Sequence, residues 1–189
     1  SLVHIVSVGV LMAVGNQVAW MRGVGDRAGI RNAVASGLLI AFALGGAATF
    51  LLALLEPALI RLGQGPELAA AAMTYLQWAA VGIVPSLVFT VLRGLSTGLG
   101  VSGPIATITV LAVICKVVFN AAVVVSVEDE LTGLAWLGLG TAVTYGLMAV
   151  SMFVYCRRRF GDYLSWPRRT PAFTSTVRET LRLGIPIGA

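Results

Sequence analysis

One side chain in this sequence stands in the wrong solvent. Lys116 lies near the middle of residues 104–127, PIATITVLAVICKVVFNAAVVVSV, and is the only charge in that apolar run. A run of this length crosses a bilayer. A cation at membrane depth costs roughly 2.5 kcal/mol or more on insertion scales. It is retained where it faces a protein interior or a water-filled cavity, so Lys116 marks a candidate transport pathway. Asn120 follows four residues later and shares its helix face.

Other polar side chains interrupt apolar runs elsewhere. Asn16 and Gln17 lie in the first run, and buried amides either line a cavity or stitch helices together. Thr141 and Tyr145 form a second pair four apart. Thr141 has two readings: it faces Asn120 across the bundle, or its hydroxyl bonds back to its own helix. His4, Tyr75 and Gln77 fall toward span ends, where an interfacial place is expected. Glu56, before Pro57, reads as a wetted helix-end carboxylate.

Reaction chemistry is absent from the pattern. Cys115 and Cys156 have neither metal-ligand spacing nor the look of a disulfide framework. There is one histidine, and no HExxH, GxSxG or P-loop pattern occurs. The reading is a non-enzyme with no cofactor and no metal.

These residues need membrane helices to hold them. The chain is 58% hydrophobic and only 11% charged, with a mean hydropathy of +0.92. Soluble domains carry about 25% charged residues. The fold class is therefore all-α integral membrane. Five spans are expected: Leu2–Trp20, Asn32–Ile60, Leu68–Leu92, Pro104–Val127 and Gly133–Tyr155. Pro85 should kink the third, and Pro104 suits the first position of the fourth. Residues 93–103, RGLSTGLGVSG, read as a loop. Residues 156–180 read as a basic linker, and residues 181–189 as the start of a further helix. The chain starts inside an apolar run and stops at LRLGIPIGA, which reads as a fragment.

Charge sets the expected orientation. Arg22, Arg27 and Arg31 lie in the first loop, Arg93 in the third, and Arg157, Arg158, Arg159, Arg168 and Arg169 in the last. The turns between them carry Arg61 with Glu67, and then Glu128, Asp129 and Glu130. This alternation places the Arg-rich loops on the cytoplasmic side of a plasma (inner) membrane and residue 1 outside. The net charge of +5 is a topology signal, not a nucleic-acid footprint. Gly45, Gly46, Gly133, Gly138 and Gly140 would allow close helix approach, or simply fill lipid-compatible helices.

The stretch LIRLGQGPELAAAAMTYLQWAAVGIVPSLVFTVLRGLSTGLGVSGPIATI resembles multidrug and toxic compound extrusion (MATE) transporters of the NorM-like branch. Its Leu-Gly-Gln-x-Pro-Glu turn, alanine-rich helix with Tyr-Leu, mid-helix Pro, Leu-Arg and helix-opening Pro are similar to the family's order. Gly23-Val24-Gly25-Asp26 is similar to the family's loop after its second helix, and Leu183–Gly188 to the segment opening its second half. The resemblance implies a MATE-like helical bundle, with residues 1–155 as a partial N-terminal bundle of family helices two to six. It implies export of small organic, mainly cationic, molecules driven by inward H⁺ or Na⁺ flow.

The family's first helix, with a membrane-embedded Asp, is missing here. So is its C-terminal bundle, the expected partner within the same chain. In the family, the helix of Lys116 often carries Asn at both positions of the pair. Asn120 matches the second and Lys116 departs from the first. A protonated ammonium cannot ligate Na⁺. Lys116 then either replaces the bound cation beside the first-helix Asp or carries protons, since burial favours the neutral amine. A purely structural ion pair is the plain alternative. Thr141 falls near a family Ala-Thr motif. The pathway candidates are thus Lys116, Asn120, Thr141, Gln17, Asn16 and Tyr145. Two rival readings stand beside the exporter: a flippase for lipid-linked or polysaccharide anions, and a truncated, non-transporting membrane protein.

Overall fold

Apolar residues run almost all the way round each helix, the pattern of helices that meet protein on one side and lipid on the other. The computed structural model describes residues 2–54 and 65–165. The expected turn around Arg61, the carboxylate Glu56, the linker beyond Ser165 and the last expected helix lie outside the described residues, as does the side chain of His4. The helices are α1 (Leu2–Gly23), α2 (Arg27–Ala53), α3 (Pro66–Ala80), α4 (Ile83–Gly98), α5 (Gly103–Ser126) and α6 (Glu130–Phe160), then a 3₁₀ turn at Gly161–Tyr163. Among the described residues, three helices are long and apolar enough to cross a membrane, or four if the bent pair α3 and α4 crosses as one span. α1 has 22 residues, also enough to span.

Several boundaries differ from the sequence expectation. α2 begins at Arg27 and not at Asn32, so Arg27 and Arg31 lie in its first turns and the first loop shrinks to residues 24–26, and α6 begins at Glu130, inside the expected acidic turn. The expected third span is broken at Val81–Gly82 and bends by 41°. Pro85 brings no N–H and its ring crowds the carbonyl four residues back, that of Val81. The helix therefore breaks one turn before the proline. α4 runs on to Gly98, so Arg93 is inside a helix and not in a loop. α6 runs to Phe160 and carries Arg157, Arg158 and Arg159 in its last turn, where cations complement the carbonyl end.

The joint between α1 and α2 shows how the Gly-x-Gly-Asp sequence works. Gly25 has φ +76°, a left-handed conformation natural to glycine. Its N–H donates to the Arg22 carbonyl at 3.2 Å, and the Asp26 N–H donates to the Met21 carbonyl at 2.9 Å. That pair of bonds closes the end of α1. Asp26 then opens α2, its carboxylate accepting from the Gly29 N–H at 2.8 Å. The same closure ends α4. Gly100, also at φ +76°, donates to the Thr97 carbonyl at 2.8 Å, and Val101 donates to the Ser96 carbonyl at 2.9 Å.

α4 is the hub. It packs on α1, α2 and α6, while α6 also packs on α3 and α5. The core joins Leu11, Val14 and Val18 of α1 to Val34 of α2, Leu87, Val91, Leu92 and Leu95 of α4, and Met152 and Cys156 of α6. Glycines set the closest contacts. A Cβ on Gly94 would lie 3.1 Å from the Gly15 nitrogen, and one on Gly98 would lie 2.8 Å from the Gly15 carbonyl oxygen. Gly94 and Gly98 are thus a small-residue pair that seats α1. Gly45 closes on Val84, and Gly138 on Tyr75 and Trp78 of α3, whereas Gly46 meets nothing within 4 Å. Both expectations for the small residues are therefore realised, at different positions.

Candidate functional site

α5 adds little to the core, with only 6% of its span buried. Its half-buried positions include Ile105, Ile108, Ala112, Lys116 and Asn120, and Val123 is buried. Steps of three and four put these on one stripe. α6 is the helix against which α5 packs. Val110, Val113, Val117, Val118, Val124 and Val125 are exposed elsewhere on α5. Lys116 and Asn120 therefore share the inner stripe.

The ring of Phe119 lies against Gly140, where any added Cβ would collide with it. This contact sets the neighbouring Asn120 at the level of Gly140 and Thr141. The Asn120 Oδ1 is buried and receives no hydrogen bond. A buried acceptor left unsatisfied costs about 1–3 kcal/mol. Thr141 does not satisfy it, because its hydroxyl donates to the Leu137 carbonyl at 3.0 Å. Thr144 likewise bonds back, to the Gly140 carbonyl at 2.7 Å. The local reading of Thr141 is the one realised. A cavity of about 210 Å³ lies on the same helix pair, lined by Ile108, Ala112, Cys115, Thr144, Met148 and Ser151.

The other candidates are elsewhere. Tyr145 lines a cavity of about 300 Å³ among α2, α3, α4 and α6, together with Leu52, Tyr75, Gly82 and Ser86. Tyr75, expected at an interface, is therefore half-buried against this space. Asn16 lines a third cavity, about 550 Å³, with Met12, Thr90, Arg93, Thr97 and Ile105. Gln17 is buried in the bundle. So Lys116 and Asn120 share one stripe of α5, the helix that packs on α6, which carries Thr141, while Tyr145 and Asn16 open into separate spaces. Sequence reasoning missed Arg93 as a cavity residue. The Gly94–Gly98 pair beside it was the available signal, since glycines four apart seat helices in membranes.

Asp129 positions α6 by capping it, its carboxylate accepting from the Thr132 N–H at 2.8 Å. Hydrogen bonding to Thr132 holds the Asp129 carboxyl below its ordinary value. At the opposite end of α6, Arg157, Arg158 and Arg159 meet Arg22 and Arg27 around one pocket. The first and last Arg-rich segments thus emerge at the same end of the bundle.

Residues 1–122 match the MatE family model. The chain belongs to the MatE family. It is 34% identical over its whole length to a probable multidrug resistance protein NorM of Pseudomonas putida, and covers 41% of that protein. It is 35% identical over 96% of its length to the NorM protein of Pseudomonas aeruginosa, covering 38% of it. The chain thus spans about two fifths of the curated relatives it matches. Its architecture is similar to the inward-facing conformation of a multidrug resistance MATE family transporter of the MOP superfamily, with a TM-score of 0.83 over 99% of this chain and 42% of that one. At 16% identity that likeness carries the fold. The MATE-like helical bundle and the NorM-like resemblance expected from sequence are both found. This MatE member is a multi-pass membrane protein of a multidrug-transporter family; its relatives are named probable multidrug resistance proteins, and the solved structure it resembles is a MATE family transporter.

Proposed function

We propose that this MatE chain works as part of a secondary active exporter of organic, mainly cationic, molecules, driven by inward flow of H⁺ or Na⁺. The observation that carries the reading is the Lys116–Asn120 pair on the inner stripe of α5, with a buried, unsatisfied acceptor on Asn120. A permanent core contact would be expected to satisfy that oxygen. A site that exchanges occupants leaves it for a cation, a hydrated proton or the lysine itself.

In this mechanism the helices rock between outward-open and inward-open states, and the occupant shifts their populations by binding them unequally. Lys116 supplies a charge whose partner changes through the cycle, and Asn120 supplies the acceptor. Thr141 shapes the wall at that level, and Asn16 and Tyr145 line neighbouring cavities along the pathway. Gln17 fixes the α1 side. The Arg-rich end faces the cytoplasm of the plasma membrane.

The test is transport by the full-length protein in proteoliposomes. A fluorescent organic cation should move against its gradient when an inward H⁺ or Na⁺ gradient is imposed. Movement that ignores both gradients contradicts the proposal. A second reading has one feature in its favour: Lys116 and Arg93 are half-buried cations, which suits a lipid-linked anion. Flipping of such an anion, with no movement of the organic cation, would decide for a flippase.

A further inference from the structure

The arginine pocket has no part in the transport reading. It measures about 610 Å³ and is lined by Arg22, Arg27, Arg157, Arg158, Arg159 and Asp162, with Leu99, Phe160 and Tyr163 completing the wall. Five arginines, all exposed, thus line one pocket with a single aspartate. They come from three elements: the end of α1, the start of α2 and the end of α6.

Topology and helix-end electrostatics explain each segment alone. Arginines after α1 and α6 satisfy the positive-inside rule, and the triplet complements the carbonyl end of α6. Neither explains their convergence. Like charges gathered in one pocket repel, and the fold holds them there. The Gly161–Tyr163 turn returns against α2, and Phe160, Tyr163 and Leu164 pack on the core. Arg22 is pinned across the end of α4, where a Cβ on Gly100 would lie 2.7 Å from its Nη1. Held cations of this kind are relieved by a multivalent anion. Guanidinium forks match phosphate oxygens in pairs. The position, at the ends of four helices with an adjacent Tyr and Phe, is that of a headgroup layer.

We propose that this pocket is a phosphate-binding site, occupied by the phosphate of an anionic lipid headgroup or of a soluble phosphorylated molecule. The anion bridges α1, α2 and α6 and removes their mutual repulsion. Binding is read without transport, so the proposal stands or falls separately from the exporter reading.

The test uses full-length protein in phosphatidylcholine nanodiscs, with and without phosphatidylglycerol or cardiolipin, and with inorganic pyrophosphate as the soluble probe. Lipid retention is read by native mass spectrometry, and pyrophosphate binding by calorimetry. Retention of anionic lipid that pyrophosphate does not displace assigns the lipid source. Pyrophosphate binding without selective lipid retention assigns the soluble source. Arg22→Gln and Arg158→Gln should each weaken binding on the order of tenfold, and the double variant should lose little more, because both hold one anion. A diffuse basic belt would instead give additive losses that follow net charge. Arg22→Lys and Arg158→Lys keep the topology charge and lose the fork, so they read the site even where the Gln variants insert poorly. Their binding should fall by less than that of the Gln variants. No selective binding of either probe, or wild-type binding in every inserted variant, overturns the proposal, as do additive losses.

Discussion

Gly138→Ala is predicted to loosen the contact that seats α6, and the size of the effect follows from the backbone. A Cβ at Gly138 would run into the Tyr75 carbonyl oxygen and lie 2.9 Å from the Trp78 Cβ. The first of these is main chain of α3, which cannot rotate away as a side chain tip can. α3 must shift, at an overpacking cost of about 1–3 kcal/mol. Alanine also returns up to about 1 kcal/mol of helix propensity. Gly46→Ala receives the same propensity gain and meets nothing within 4 Å. The propensity term cancels in the comparison, so the two variants should differ by about 1–3 kcal/mol. At roughly 2–4 °C per kcal/mol for a chain of this size, the gap is readable by fluorescence-detected thermal unfolding in one detergent. Gly46→Ala should match or exceed the wild type, and Gly138→Ala should fall below it. Equal melting temperatures, or the reverse order, would refute the packing argument.

Three further outcomes follow. Asp26→Ala removes the α2 cap and should cost about 1 kcal/mol, with faster hydrogen exchange confined to the first turn of α2. Asp129 has a lowered carboxyl, so its contribution to α6 is full above the ordinary carboxylate range and is lost as pH falls through its lowered native value. Wild type should therefore lose more thermal stability than Asp129→Asn between neutral pH and about pH 3, and parallel losses would exclude the cap as the cause. Phe119→Ala should uncover Gly140 and loosen α5 against α6, seen as increased labelling, by a membrane-permeant thiol reagent, of a reporter cysteine placed at half-buried Ala112 (Ala112→Cys) with the exposed Cys115 removed. Unchanged labelling would separate Phe119 from the placement of α5.

Much of this fold is legible in the chain because lipid leaves few choices. Length and hydropathy place the spans, and Gly25-Asp26 writes one helix end and the next helix start in adjacent residues. Lys116 and Asn120 could be assigned to one face from spacing alone, and the structure turns that face inward. What stayed hidden has a common physical cause: residues that punctuate soluble chains do other work in a membrane. Gly94 and Gly98 looked like loop residues and instead pack α4 on α1, carrying Arg93 into a cavity wall. Arg157, Arg158 and Arg159 looked like linker and instead finish α6. Thr141 presents the reverse case, since spacing allowed it to face Asn120, and its hydroxyl is taken by the nearer Leu137 carbonyl. Nor could spacing show that Tyr145 and Asn16 open into different cavities, because that depends on which helices flank each one.

The measurement that tests the central claim most directly is the ion dependence of transport in Lys116→Asn. Full-length wild type and variant would be reconstituted and given a Na⁺ gradient and a pH gradient separately. If Lys116 carries the charge of the coupling site, the variant changes which gradient drives efflux, while protein insertion and thermal stability stay near wild type. Identical dependence on both gradients in the two proteins would contradict the account and return Lys116 to a structural role.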